Sequence, residues 1–93
     1  MALGNSGIAS AREVLATVRS NVDHAMETNR QFMNMYQNED FQMFVNDTKI
    51  GANINAQLTE LSKWISELCS SVNSTISVTQ SMLIQQEQDN MGV

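Results

Sequence analysis

Two stretches of mostly apolar residues recur at steps that alternate between three and four, and this periodicity constrains the fold more than any other feature of the chain. The first repeat comprises Ile8, Ala11, Leu15, Val18, Val22, Ala25, Asn29, Phe32 and Tyr36. The second comprises Ile54, Leu58, Leu61, Ile65, Leu68, Val72, Thr75, Thr79 and Met82. Such a spacing places its members on one stripe of a helix, as in helices that pack lengthwise against each other. The sequence therefore predicts two long amphipathic helices.

Little in the chain interrupts a helix, because proline is absent and only four residues are glycine. A chain of 93 residues is long enough for one domain. We therefore expect an all-α fold: a two-helix antiparallel hairpin that forms a single domain over residues 1–93. The ends, residues 1–7 and 87–93, lie outside the repeats and are expected to fray.

The turn between the two helices has two candidate positions. The first repeat ends at Tyr36 and a new helical phase begins at Phe41, which indicates a turn near residues 37–40. Asn38 is suited to cap the second helix, and the two carboxylates that follow it suit a first helical turn. The alternative is residues 46–53, which are rich in Asn, Asp, Thr and Gly. We favour the first position.

Both apolar stripes are wider than the narrow seam that joins two helices. Val14, Met26 and Met33 widen the first stripe, and Ile76 and Leu83 flank the second. A hairpin buries only one strip of each helix, so this one should leave apolar surface in water. We therefore expect the hairpin to be completed by dimerisation or by a helix bundle with a partner.

The bulk composition excludes several classes of partner. The net charge is −5 and only five residues are basic, which argues against binding nucleic acid or an anionic membrane surface. The longest apolar runs are too short for a membrane span, so we expect no membrane insertion. The first residues lack the pattern of a signal peptide. Export, if it occurs, is expected to use a route that reads no such signal.

The sequence offers no constellation of residues for catalysis. The single histidine, His24, follows Asp23 directly, and adjacent helical residues point about 100° apart, so the two form no dyad. The single cysteine, Cys69, is best interpreted as an apolar filler beside Leu68. Phosphate-binding and metal-binding motifs are absent. We therefore expect no enzyme activity, cofactor, metal or small-molecule substrate.

The candidate site residues follow from the two repeats and the turn. The core seam or partner interface is predicted at Leu15, Val18, Val22, Phe32, Ile54, Leu58, Leu61, Trp64, Ile65, Leu68 and Val72. Turn or recognition residues are predicted at Tyr36, Asp40, Phe41 and Phe44. Two residues keep alternatives open. Asn29 is either a half-exposed edge residue or a polar core residue that fixes the register. Trp64 is either a core anchor or an interface hot spot.

The profile resembles the small WXG-type (early-secreted-antigen-like) proteins of type VII secretion and the helical partners of LXG toxins. The segment YQNEDFQMF, residues 36–44, stands where that family has its Trp-x-Gly turn, a motif that this chain lacks. The Gln-rich end VNSTISVTQSMLIQQEQDNMG is similar to the C-terminal ends of these proteins. The missing motif favours the LXG-associated partners.

The resemblance implies a function in protein export. It implies a targeting factor that binds a helical partner, either itself or the N-terminal domain of an LXG toxin, and promotes its secretion. Such a protein is cytoplasmic before export and is then secreted without a cleavable signal peptide. Tyr36 to Asp40 also match a Tyr-x-x-x-Asp export tag, although the family's tag follows the second helix.

Two other interpretations remain. The segment SKWISELCSSVNSTI, residues 62–76, is similar to the second helix of type III secretion needle subunits, which assemble into filaments. Those subunits carry proline in the turn, which this chain lacks. The third interpretation is a cytosolic helical adaptor or chaperone.

Overall fold

The fold is described by a computed structural model that covers residues 3–92. It contains three helices: α1 is Asn5–Met35, α2 is Glu39–Asp47 and α3 is Lys49–Met91. No strand occurs in these residues. The predicted all-α class is therefore confirmed, but the chain forms three helices where the sequence predicted two.

Both candidate turn positions are helix boundaries, and for this reason the chain has a third helix. At the first boundary the side chain of Asn38 accepts a hydrogen bond of 3.2 Å from the backbone N–H of Phe41. At the second, Oγ1 of Thr48 accepts one of 2.9 Å from the N–H of Gly51. Each boundary has its own cap for the unpaired N–H groups of the helix that follows. The short helix α2 lies between them.

The ends of the long helices extend beyond the predicted limits. The helix α1 begins at Asn5, and its N-cap, Gly4, supplies no side-chain hydrogen bond. At the other end α3 continues to Met91. Helix therefore covers 5–7 and 87–91 of the segments expected to fray, whereas residues 1, 2 and 93 lie outside the described part of the chain.

The helices α1 and α3 lie antiparallel along most of their length. Near one end of the pair, Arg12 Nη1 lies 2.9 Å from Oε2 of Glu87. Towards the other end, Asn29 Nδ2 donates a hydrogen bond of 3.1 Å to the carbonyl oxygen of Ser62. The result is a rod of 69 × 17 × 13 Å. The 43 residues of α3 account for its length, since a helix of that size spans about 65 Å.

The face of α3 that packs against α1 is offset by one residue from part of the predicted repeat. Apart from the half-buried Asn73, Gln80 and Glu87, which flank the row, the buried or half-buried positions of α3 alternate at steps of three and four; they are Gly51, Asn55, Leu58, Ser62, Ile65, Cys69, Val72, Ile76, Thr79, Leu83, Gln86 and Asn90. We call this set the α3 seam. Ile65 and Val72 belong to it as predicted, whereas Leu61 and Leu68 lie outside it and are exposed.

Small residues on the α3 seam explain this offset. Ser62 and Cys69 have less side-chain bulk than the leucines that precede them, which leaves room for α1 at these positions. Gly51 has the same effect at the junction with α2, where the carbonyl oxygen of Phe44 lies close to it. Ser62 is itself buried and receives the hydrogen bond of Asn29 on its carbonyl oxygen. Asn29 is half-buried while it makes this contact, so both interpretations of it, the edge residue and the polar residue that fixes the register, stay predictions.

The fully packed part of the rod is small and lies away from α2. Among apolar side chains only Ile8, Ile76 and Leu83 are buried in the described residues, and Ile8 alone has no exposed surface. Since α1 and α3 are antiparallel, these residues belong to the half of the rod where α1 begins and α3 ends. The half nearer to α2 has no buried large apolar side chain among the residues described.

Gly51 provides a test of the junction between α2 and α3. A Cβ atom at this position would collide with the carbonyl oxygen of Phe44 and lie 2.7 Å from Oγ1 of Thr48. We expect Gly51→Ala to lower the free energy of unfolding by about 1–3 kcal/mol, because the backbone must shift to make room. Urea unfolding followed by circular dichroism measures this change.

Gly7→Ala is the matched control. Its added Cβ would make ordinary contact, at 3.4 Å, with the Leu3 side chain. Alanine inside a helix is more favourable than glycine, so this variant should gain about 0.5–1 kcal/mol. Equal or greater stability of Gly51→Ala relative to the parent would show that the α2–α3 junction is not tightly packed.

Candidate partner-binding surface

A row of exposed apolar side chains runs along α3 beside the seam. Its members are Ile50, Ile54, Leu61, Trp64, Leu68, Val78 and Met82, and we call them the α3 strip. The exposed fraction reaches 61% for Trp64 and 67% for Leu68. Large apolar side chains grouped on one face of a soluble protein indicate a binding surface, whereas single scattered ones do not.

The α3 strip lies on one side of the rod. Each of its members directly precedes a seam residue, so the strip is rotated in one direction from the seam. Leu61 also lines a groove of about 460 Å³ between the two long helices. On the α1 wall of this groove lie Ala25, Thr28 and the exposed ring of Phe32. We call the α3 strip together with this groove the apolar side.

The opposite side of the α1–α3 pair is charged. A second groove there is lined by Asp23, Glu27, Arg30 and Lys63 together with small polar residues and the methionines Met26 and Met33. The α3 strip by contrast contains no charged side chain from Ile50 to Met82. A partner of the apolar side therefore has to be recognised by apolar contact and shape, whereas the charged side is suited to solvent.

Aromatic rings close the end of the rod where α1 meets α2. The rings of Tyr36 and Phe41 stack with centroids 5.8 Å apart, and those of Phe41 and Phe44 lie 6.1 Å apart at 54°. Such pairs stabilise a structure beyond the area that they bury. Gln42 Nε2 also donates a hydrogen bond to the carbonyl oxygen of Tyr36. Three of the four predicted turn residues are therefore brought together.

The fourth turn residue, Asp40, is separate from this cluster. It lies exposed in the first turn of α2, where a carboxylate is favourable. Tyr36 is half-buried and its ring is stacked on Phe41. That residues 36–40 act as an export tag stays a prediction.

The predicted seam residues fall into two groups. Leu15, Val18, Val22, Leu58, Ile65 and Val72 are half-buried, and Phe32, Ile54, Leu61, Trp64 and Leu68 are exposed on the apolar side. The first group stabilises the α1–α3 pair. The second group is available to a partner, and Trp64 accordingly lies at a candidate interface instead of in the core.

A polar cluster at mid-length was not predicted. Arg19 Nη2 donates a hydrogen bond of 2.6 Å to Oγ of Ser77 and one of 3.4 Å to the carbonyl oxygen of Asn73. Asn73 in turn donates to Asp23 at 3.4 Å. Within the described residues, Nε of Arg19 and Oδ1 of Asn73 are buried without a partner. Polar groups so placed favour one register of α1 against α3, since other registers leave more of them unpaired.

Titratable groups of the described residues form no centre that could hold a metal ion. No cluster of three or more His, Cys, Asp and Glu side chains occurs between residues 3 and 92. One pKa is perturbed: a hydrogen bond and charge attraction from Glu27 raise the pKa of Arg30 above its ordinary value. Because arginine is charged at all ordinary pH values, this change has no effect on charge.

Comparison with protein-family models, with curated proteins and with solved structures yields no match for this chain. Within residues 3–92, no helix combines the length and apolar character needed to cross a membrane. The function therefore has to be argued from the surface described above and from the sequence.

The polar cluster can be tested by comparing two arginines. Arg19→Ala removes the contacts to Ser77 and Asn73, and we expect it to lower the free energy of unfolding by about 1–2 kcal/mol. Arg30→Ala is the control, because Arg30 is exposed and pairs only with Glu27 of its own helix among the described residues. Urea unfolding of both variants should show a lower free energy of unfolding for Arg19→Ala and no change for Arg30→Ala. Equal effects would mean that the cluster does not stabilise the helix pair.

Proposed function

We propose that this protein is a non-enzymatic, type VII secretion-associated protein that binds a helical partner and promotes its export. The partner is either a second copy or the N-terminal domain of an LXG-type toxin. The observation that supports this proposal most directly is the α3 strip, whose large apolar side chains are exposed to water. In this proposal the antiparallel α1–α3 pair is one half of a larger helix bundle.

The dimensions of the α3 strip suit a helix better than a small ligand. From Ile50 to Met82 it extends over about 48 Å of helix. Its members recur at the spacing with which one helix presents side chains to another. An amphipathic helix laid along this surface would cover apolar residues over most turns, with polar Gln57, Ser71 and Thr75 at the positions between them. Such helix packing is a common mode of protein recognition.

The export function rests on the resemblance of the sequence to type VII secretion proteins and their LXG-associated partners. A helical protein with an uncovered apolar side is consistent with a targeting factor that leaves the cell together with its partner. The protein would then be secreted without a cleavable signal peptide. The non-enzymatic role rests on the composition, which supplies one histidine and one cysteine.

Co-expression and pull-down test this proposal. The chain should be co-expressed with the products of the neighbouring reading frames and with N-terminal domains of LXG-type toxins, and the captured complex should be identified by mass spectrometry. Recovery of a discrete complex with such a domain, and export of both proteins, is the expected result. Assembly into open filaments would instead favour a needle-like subunit, and binding without export would favour an adaptor.

Two leucine variants separate partner binding from folding. Leu68 is exposed on the α3 strip, so Leu68→Asp should leave the helical circular dichroism of the isolated chain unchanged and abolish partner capture. Leu83 is buried between α1 and α3, so Leu83→Asp should cost about 3 kcal/mol or more and reduce helicity. If Leu68→Asp still captures the partner at the parental level, the apolar side is not the binding surface.

A further inference from the structure

We infer that a second copy of this chain covers the apolar side, forming an antiparallel four-helix bundle in which Trp64 packs against Leu68 of the other copy. The two-fold axis passes level with Ser66. The inference rests on the proposed function, because it names the helical partner as a second copy and gives the register. Four independent features of the chain support it.

The first feature is the amount of exposed surface. The chain exposes 7038 Å². A compact monomer of 10.3 kDa exposes about 5,400 Å². The difference, about 1,600 Å² for each chain, falls within the range of about 1,000–2,500 Å² that each partner loses in an obligate dimer. A rod two helices wide thus has the surface that a second layer of helices would bury.

The second feature is the order of side chains along α3. In an antiparallel pair centred on Ser66, residues equally far before and after the centre meet. Large apolar residues then face each other at Trp64–Leu68, Ile54–Val78 and Ile50–Met82. Leu61 faces the small Ser71, and the polar Gln57 faces the polar Thr75. The strip is therefore complementary to itself when one copy is reversed.

The third feature is that neighbouring registers lose this match. A shift of one heptad in one direction places Trp64 opposite Thr75 and Met82 opposite Gln57. A shift in the other direction places Leu68 opposite Gln57. In a parallel pair, Trp64 of one chain would instead lie directly opposite Trp64 of the other, and the two indole rings would be overpacked. The antiparallel register centred on Ser66 is the best matched of these arrangements.

The fourth feature comes from α1. Asn29 of α1 donates a hydrogen bond to the carbonyl oxygen of Ser62 of α3, so these two residues lie level with each other. Because the helices are antiparallel, Ser66, one turn after Ser62, lies level with Ala25, one turn before Asn29. Ala25 and Thr28, on the apolar side, are both small. The centre of the α3 strip thus coincides with the place where two copies of α1 can approach most closely. A single two-fold axis therefore allows both the α3–α3 contact and the close approach of the two α1 helices.

Spin labels on the outer face of α3 test the register. In a Cys69→Ser background, single cysteines replace the exposed residues Asn53 or Glu67 and carry nitroxide labels. The two Asn53 positions of the dimer should be about 39 Å apart along the helix axis, and the two Glu67 positions about 3 Å apart. Double electron–electron resonance should therefore give a long distance for the first and a short one for the second. Equal distances would overturn the antiparallel arrangement.

Sedimentation equilibrium tests the dimer itself. The parent chain should sediment with twice its mass of 10.3 kDa. Trp64→Ala should weaken self-association about 30-fold or more, because a central buried tryptophan is a typical hot spot. Ile84→Ala is the matched control, since Ile84 is exposed but lies outside the α3 strip. Trp64 is the single tryptophan, so its emission should also shift to the red on dilution.

The outcomes separate this inference from the proposed function. A parent chain that remains monomeric up to about 0.1 mM overturns the inferred dimer, because interfaces of at least standard size have dissociation constants in the micromolar range or below. If that monomer still captures an LXG-type domain through the apolar side, the proposed function stands alone. A dimer with the expected spin-label distances that captures no such domain supports the inference and contradicts the toxin-binding part of the function.

Discussion

The rotation of α3 about its own axis relative to α1 determines which apolar side chains are inside the rod and which are left outside. Small and polar contacts contribute to this rotation beside the buried apolar side chains Ile8, Ile76 and Leu83. Asn29 donates a hydrogen bond to the carbonyl oxygen of the buried Ser62, and Arg19 donates hydrogen bonds to Asn73 and Ser77. A rotation by one residue would bury Leu61 and Leu68 and would leave these polar groups without partners. The exposed strip is therefore a consequence of the polar register.

The exposed strip has a thermodynamic consequence. A large apolar side chain that is fully buried contributes about 1.5–3 kcal/mol relative to one left in water. The isolated chain lacks this contribution at Leu61, Trp64 and Leu68, which are exposed. A domain of this size has a small free energy of unfolding. A partner that binds only the folded chain adds its binding free energy to the stability. Folding and association should therefore be coupled.

The sequence predicted the helices well and their relative rotation poorly. The periodicity identified α1 and α3, and Asn38 was recognised as a cap, but Thr48 was not, and nothing indicated that each of the two candidate turns is followed by a helix. On α3 the large apolar residues occupy five of the seven heptad positions, so periodicity cannot tell which two face α1. The partners of Arg19 could not be predicted, because a contact between residues 19 and 73 depends on the register of the two helices.

The two halves of the rod are stabilised by different means, which bears on what a partner would change. The half distant from α2 contains the buried side chains Ile8, Ile76 and Leu83. The half nearer to α2 contains two helix caps and a row of three aromatic rings in contact. Fewer buried contacts mean that local opening costs less free energy there. Phe32 and Ile54 are exposed in that same half, so a partner on the apolar side would stabilise it most.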